Sequence, residues 1–282
     1  MNPWLETAGV ALIALSGMVV GVLLRRFHRP WWVLGYAFSL LFVAILLLGR
    51  TTTLHFRAPF TWLVATRMRF ILIALAATLG LTTPLSRLPR QWEKVVVALL
   101  MTGLLLRFSV LPFLLPALLQ EKLAQLTTTI DDSGVCRQTT RFTCGPAAAV
   151  TALRHLGLSA SEGQLAILSH ASPAVGTLPA CLSQALHDQY ADEGLRCRYR
   201  RFDSIAQLGA SGIALVVVKN AFLQDHCVAV LDVSDTIVTV ADPITGITAM
   251  PHDQFRAAWR FSGIVLSRDP VPQSPPGSER ST

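Results

Sequence analysis

Long apolar runs fill the first 120 positions of this chain, and short alternating ones fill the rest. Residues 7–24, 31–49 and 70–86 are uncharged runs of 18, 19 and 17 residues. Residues 95–119 form a fourth, longer run that carries Arg107. A helix of about 20 apolar residues crosses a bilayer, with a range of roughly 17–25. The pattern therefore predicts a transmembrane region over 1–120, a helical bundle of about four spans. Residues 60–66 are apolar enough to extend the third span backwards, but Arg67 and Arg69 mark its interfacial end. A charge inside a span is costly and points to function. The simpler reading of Arg107 is a helix shifted or broken near Pro112 and Pro116, letting the side chain reach the interface.

Beyond the fourth run the period changes. Residues 121–135 are polar and read as a linker or a first edge strand. A helix is expected from Cys144 to about Leu156, stopped by Gly157, with Thr143 as a plausible cap and Pro146 in its first turn. Ser159-Ala-Ser-Glu162 fits a capping box for a second helix ending near Leu168. Thr177 is placed to cap a third, through Tyr190. Strands rich in β-branched residues are expected at 195–202, 212–219, 226–234, 236–242 and 246–250. A short helix over 252–259 and a strand over 262–267 close the domain. Helices first and strands afterwards are the signature of an α+β fold, here spanning 136–268. The tail over 269–282 is rich in Pro and Ser and is expected to be disordered.

Charge divides along the same line. Residues 1–130 hold 12 Lys and Arg against 3 Asp and Glu, whereas 131–282 hold 12 against 14. The overall +7 belongs to the apolar half. Nucleic-acid binding needs a basic face on a folded domain, and the mixed half has no net excess. Its one basic cluster, RCRYRR at 196–201, reads as a solvated strand face, or as a contact for an acidic stretch of a peptide. The start, MNPWLE, lacks the positive charge of a signal peptide, and RRFHR follows the first apolar run. By the positive-inside rule, 25–30 and 87–94 lie in the cytoplasm. Four spans then put both the N-terminus and the C-terminal domain outside, and Arg50, Arg57, Arg67 and Arg69 argue against that placement. An integral protein of the bacterial inner membrane is the expected setting, with lipid as a partner.

The candidate chemistry lies in CRQTTRFTCGPAAAV, at 136–150. Cys144 opens a helix, whose N-terminus carries roughly half a positive charge and favours thiolate over thiol. Gln138, six residues earlier, offers a side-chain amide for the oxyanion that thiolate attack creates. A thiol nucleophile needs a base, and the base needs an orienting acceptor. His226 starts one strand and Asp242 ends the next, so an antiparallel pair would set them side by side. Taken singly, a buried histidine and a turn aspartate explain those two residues. Taken with the Gln138–Cys144 element, a Cys-His-Asp site explains them better. Cys136, Cys181, Cys197 and Cys227 are left over. Cys181–Cys197 is one possible disulfide, and four ordinary buried thiols are the other possibility. Cys227 should point away from His226.

These residues resemble the double-glycine leader peptidases, which trim bacteriocin-type precursors. The resemblance runs over about 131–268. It includes the Gln138/Cys144-Gly-Pro block, the strand start at His226, the Asp-Pro at 242, and the connecting SASEGQLAILS and VGTLPACLSQAL. It implies a papain-like fold, Cys144 as nucleophile, His226 as base, Asp242 as orienter and Gln138 in the oxyanion hole. It also implies cleavage after small residues such as Gly-Gly. This chain departs in having Thr143 where an acidic residue often stands, and in carrying the domain behind the membrane region. The expected function is a membrane-anchored cysteine endopeptidase acting on a peptide or small-protein precursor, beside a secretion or export machine. The alternatives are a non-proteolytic leader-binding module, and a thiol amidase or acyl transferase. No metal motif or cofactor signature is present, so none is expected.

Overall fold

The computed structural model describes residues 3–26, 33–49, 54, 56–85, 88–221 and 224–269. Its apolar half consists of α1 (Pro3–Arg26), α2 (Val33–Leu48), α3 (Phe60–Ala65), α4 (Met68–Leu85), α5 (Gln91–Leu105) and α6 (Leu111–Ala124). Pro3–Leu24, Met68–Leu85 and Gln91–Ala124 are long and apolar enough to cross a membrane. Val33–Leu48 is apolar but shorter at 16 residues. Trp31 and Trp32, counted in the second expected span, lie outside the described residues. Residues 60–66 do not extend the third span, because α3 is a separate short helix.

Helix α4 is the hub, flanked by α1 and α2. Gly17 and Gly21 lie against Thr78 and Thr82, Gly35 against Thr83, and Gly80 against Ser39. Small residues let backbones approach closely where no hydrophobic force drives helices together. The Ser39 hydroxyl reinforces the seam by donating to Ala76 O at 2.7 Å.

The fourth apolar run is not broken at its prolines. It continues from α5 through a π-helical turn, Leu106–Val110, into α6. Proline lacks an N–H and clashes with the carbonyl four residues back, and the wider turn just before Pro112 absorbs that conflict. Arg107 sits in this turn, exposed, with its guanidinium 5.3 Å from the Phe108 ring centre. The helix also runs further than expected. Residues 121–124, read as linker, are its last turn.

From Phe113 onward this helix touches the mixed domain. Phe113 packs with Val10, Phe70 and Leu178, and Leu123 packs with Ala166 and Ala171. The start of α1 therefore lies at the same end of the bundle as the mixed domain. Glu6 of α1 pairs there with Arg67, whose guanidinium also lies 4.1 Å from the Phe113 ring centre and donates to Pro112 O at 3.3 Å.

The second half opens with a small hairpin, β1 (Thr129–Ile130) and β2 (Cys136–Arg137). Next come α7 (Cys144–His155), α8 (Glu162–Leu168) and α9 (Pro179–Tyr190). The remainder is β3 (Leu195–Arg201), α10 (Ile205–Gly209), β4 (Ala214–Ala221), β5 (Gln224–Val233), β6 (Ile237–Asp242), β7 (Gly246–Pro251), α11 (His252–Ala258) and β8 (Trp259–Arg268). Six strands form one antiparallel sheet in the order β3-β8-β4-β5-β6-β7. This is an α+β domain behind a bundle of apolar helices.

Both faces of the central strands are buried, which accounts for their near-continuous apolar runs. Leu215, Ala229, Ala241, Ile264 and Leu266 pack on α7 and α9. Their strand neighbours Ala214, Val216, Val228, Val230 and Val240 pack with Phe202, Phe255 and Trp259 on the other side. Alanines at 229 and 241 face the alanine-rich α7, so helix and sheet meet closely.

Two caps differ from expectation. Ser161, not Ser159, caps α8 and accepts from Gln164 N–H at 3.4 Å. Thr177 does not cap α9, which starts at Pro179. Its hydroxyl instead donates to Phe142 O at 3.2 Å. Gly157 has φ +73 and ends α7 as a left-handed residue. The tail from residue 270 lies outside the described residues.

Candidate active site

Cys144 is the first residue of α7, partly buried. Thr143 occupies the cap position without capping, because its hydroxyl is engaged with Thr140. The helix N-terminus thus keeps its positive end toward the thiol without a side-chain oxygen to offset it.

His226 is the third residue of β5 rather than its first, because β5 begins at Gln224 and pairs with β4 from there. Its Nε2 lies 2.8 Å from Asp242 Oδ1, on the neighbouring strand β6. Cys144 lies near enough to act on the ring, and its influence favours the protonated imidazole. With Nε2 on Asp242, Nδ1 is left for the thiol. The His226 side chain is 7% exposed and that of Asp242 is 21%. Burial disfavours the imidazolium, but the Asp242 hydrogen bond and the charges of Asp242 and Cys144 outweigh it and raise His226 to about 9. Asp242 moves the other way. Burial alone would raise it, yet hydrogen bonds from His226, the Ile244 N–H and Thr245 hold its carboxyl below the usual range.

The Asp242-Pro243 turn does more than end a strand. Asp242 Oδ1 accepts from Ile244 N–H at 2.7 Å, two residues on, which locks the carboxylate in an Asx turn. Pro243 O accepts the Gln138 N–H at 3.2 Å. The segment carrying Gln138 is thereby tied to the turn carrying Asp242. The Gln138 side-chain Nε2 donates to Thr140 O at 3.0 Å, and its Oε1 is buried without a partner. An amide nitrogen has two hydrogens, so one donor remains beyond that bond. The sequence reading missed Pro243 and Ile244 as supports. The Asp-Pro-x-Thr-Gly run at 242–246 is the turn signal that could have indicated them.

All five cysteines are free thiols, so the Cys181–Cys197 pair is not formed. Burial raises the four others: Cys136 and Cys197 to about 12, and Cys181 and Cys227 upward. Cys227 packs with the α7 side of the sheet, and the charges of Cys144 and Asp242 add to its shift. Among the described residues, no group of three or more His, Cys, Asp and Glu could hold a metal ion.

No protein-family profile matches the chain. An uncharacterized protein of Methanothermobacter marburgensis is 29% identical over 140 residues, covering 50% of this chain and 92% of that protein. One from Methanothermobacter thermautotrophicus is 25% identical over 143 residues, covering 51% and 94%. Among solved structures, the chain is similar to the peptidase domain of Streptococcus ComA, a bifunctional ABC transporter of a quorum-sensing pathway. That likeness has 22% identity and a TM-score of 0.41, covering 47% of this chain and 96% of that one. A double-glycine-motif protease from an AMS/PCAT transporter, solved with its leader peptide, has 14% identity and a TM-score of 0.41, covering 51% and 93%. A C39-like peptidase from Bacillus anthracis has 15% identity and a TM-score of 0.40, covering 52% and 100%.

Proposed function

We propose that the chain is a membrane-anchored cysteine endopeptidase in which Cys144, His226 and Asp242 carry the reaction and Gln138 stabilises the oxyanion. The observation that carries this reading is the hydrogen bond between Asp242 and His226, with Cys144 at a helix N-terminus acting on the same ring. Its order of groups is that of an activated thiol: acceptor, imidazole, nucleophile.

The Cys144 thiolate adds to the scissile carbonyl carbon and pushes its electron pair onto the oxygen. The Gln138 amide and the Cys144 backbone N–H hold that oxyanion. Protonated His226 passes its proton to the leaving amine, and the C–N bond breaks to give a thioester. A water, deprotonated by the same ring, then attacks the thioester. The acid product leaves and the thiol is restored. Asp242 keeps the ring in one tautomer and favours its charged form. The substrate is a peptide precursor or leader cut after small residues such as Gly-Gly, the site the motif resemblance implies. Glycines suit a narrow cleft because the backbone can approach closely.

The domain lies on the side of the membrane opposite the basic loops 25–30 and 87–94. The contact of the α1 start with the mixed domain supports an even number of crossings between them.

Purified wild type should cleave a fluorogenic Gly-Gly peptide and be labelled by a peptide electrophile. Cys144→Ala should lose both activities while the fold is kept. Turnover that survives in Cys144→Ala would remove the thiol mechanism. A modified amine product would point to acyl transfer.

A further inference from the structure

We propose that Glu162 is a positioning residue for the oxyanion site, acting through Thr139 on Gln138. Glu162 is the first residue of α8, and its side chain is fully buried. Its Oε1 accepts the Thr139 N–H at 2.8 Å and its Oε2 accepts the Thr139 hydroxyl at 2.7 Å. Both oxygens are thus spent on a single residue, the one that follows Gln138. Among the described residues no cation pairs with it. A buried carboxylate is expensive to keep, and an apolar side chain of similar volume would often stabilise as well or better. A purely adhesive role therefore explains this choice poorly.

The geometry explains it well. The peptide unit is planar, so a fixed N–H fixes the whole unit. The unit before the Gln138 Cα is pinned by Pro243 O, at 3.2 Å from the Gln138 nitrogen. The unit after that Cα contains the Thr139 N–H and is pinned by Glu162. With both flanking planes held, φ and ψ of Gln138 are set, and so is the direction of its Cα–Cβ bond. One pin comes from the Asp242 turn and the other from α8. Helix α8 is itself located by the membrane helix: a Cβ at Gly163 would overlap the Leu123 carbonyl oxygen of α6. The Glu162 N–H also donates to Thr128 Oγ1 at 3.0 Å, in the segment just after α6. The end of the last apolar helix thus reaches Gln138 through Glu162 and Thr139.

The inference rests on the thiol-peptidase reading, and two assays on the full-length chain in detergent separate the two. One is turnover of the fluorogenic Gly-Gly peptide, which forms an oxyanion. The other is alkylation of Cys144 by iodoacetamide, followed by mass spectrometry, which forms none. Glu162→Ala should lower kcat by about 10- to 100-fold, part of the 10²–10³-fold typical for losing an oxyanion donor. KM and the Cys144 alkylation rate should stay within about twofold. Glu162→Gln, which keeps one acceptor for the Thr139 N–H, should recover part of the loss. Gln138→Ala/Glu162→Ala should be no slower than Gln138→Ala alone, because one residue acts through the other. Thr139→Val changes an exposed side chain but removes the hydroxyl bond that holds the second Glu162 oxygen, so the carboxylate that pins the Thr139 N–H is loosened, which tests the clamp even where Glu162→Ala does not fold. It should cost several-fold in kcat. Wild-type kcat in Glu162→Ala or in Thr139→Val, losses that multiply with Gln138→Ala, or a parallel fall in alkylation would overturn the positioning role. A wild-type chain that alkylates readily at Cys144 but turns over no peptide would overturn the peptidase reading and this inference with it.

Discussion

His226 is the residue on which pH dependence turns. Its raised value, about 9, comes from Asp242 and Cys144 acting against burial. The stabilisation this implies is fully present below the ordinary histidine value near 6.5 and is lost as pH rises through 9. Asp242 contributes with the opposite sign, its share being lost as pH falls through its lowered value. The protonated ring is also the acid for the leaving amine, so kcat/KM should decline above about pH 9. Asp242→Asn removes the main raising influence and leaves burial, which pushes the ring down. Its basic limb should shift toward acid, and kcat should fall by roughly 10²-fold, the scale of acid–base catalysis. A pH–rate profile of the variant superimposable on wild type would separate Asp242 from the ring. At this scale the sequence was informative about residue types and silent about supports. The Cys-Gly-Pro block and the His and Asp at strand ends were visible as spacing. Glu162 was visible only as part of a capping box, because nothing in a one-dimensional pattern says that its carboxylate crosses to Thr139.

Among the elements, the strands and helices of the mixed half follow closely from β-branched runs and from Gly and Pro punctuation. Their ends follow less closely. Ser161 competes with Ser159, a residue of equal cap propensity, while α9 starts at Pro179 behind Leu178 although Thr177 is the better cap, so tertiary contacts decide. Thr177 is drawn to Phe142 O instead of capping. The π-helical turn before Pro112 had no sequence signal beyond the proline itself. Helix α8 shows how packing overrides propensity. Gly→Ala inside a helix ordinarily stabilises by about 0.5–1 kcal/mol. At Gly163 the added Cβ would meet the Leu123 carbonyl oxygen, a backbone atom with little room to yield. Gly163→Ala should therefore destabilise, by about 1–3 kcal/mol as for other overpacked sites. It should also lower kcat by shifting Glu162. Thermal unfolding of the full-length protein in detergent checks the sign. A higher Tm for the variant would show that α6 and α8 are not in contact there.

On the scale of the whole molecule, parity and charge answer different halves of the topology question. Parity concerns whether the N-terminus and the mixed domain share a side. Glu6 pairs with Arg67, and Val10 packs with Leu178 of the mixed domain, so the start of α1 lies at that domain's end of the bundle. Charge concerns which side that is. Under the proposed orientation, the basic residues at 25–30 and 87–94 are the cytoplasmic ones by the positive-inside rule. The competing positive charge at 50–69 carries less weight than a count of side chains implies, because Arg67 is largely buried and paired with Glu6. A buried ion pair presents almost no net charge to the translocation machinery or to lipid. Glu6→Gln leaves that arginine uncompensated on the far side and so supplies a control. A periplasm-reporting fusion placed after Arg268 should be active and a cytoplasm-reporting fusion silent. The Glu6→Gln version should show weakened periplasmic activity or a mixed population. A strong cytoplasmic signal from the unmodified chain, with Cys144 protected from a membrane-impermeant thiol reagent until lysis, would reverse the orientation. The Cys144–His226–Asp242 chemistry would survive that reversal, because its geometry is internal to the mixed domain.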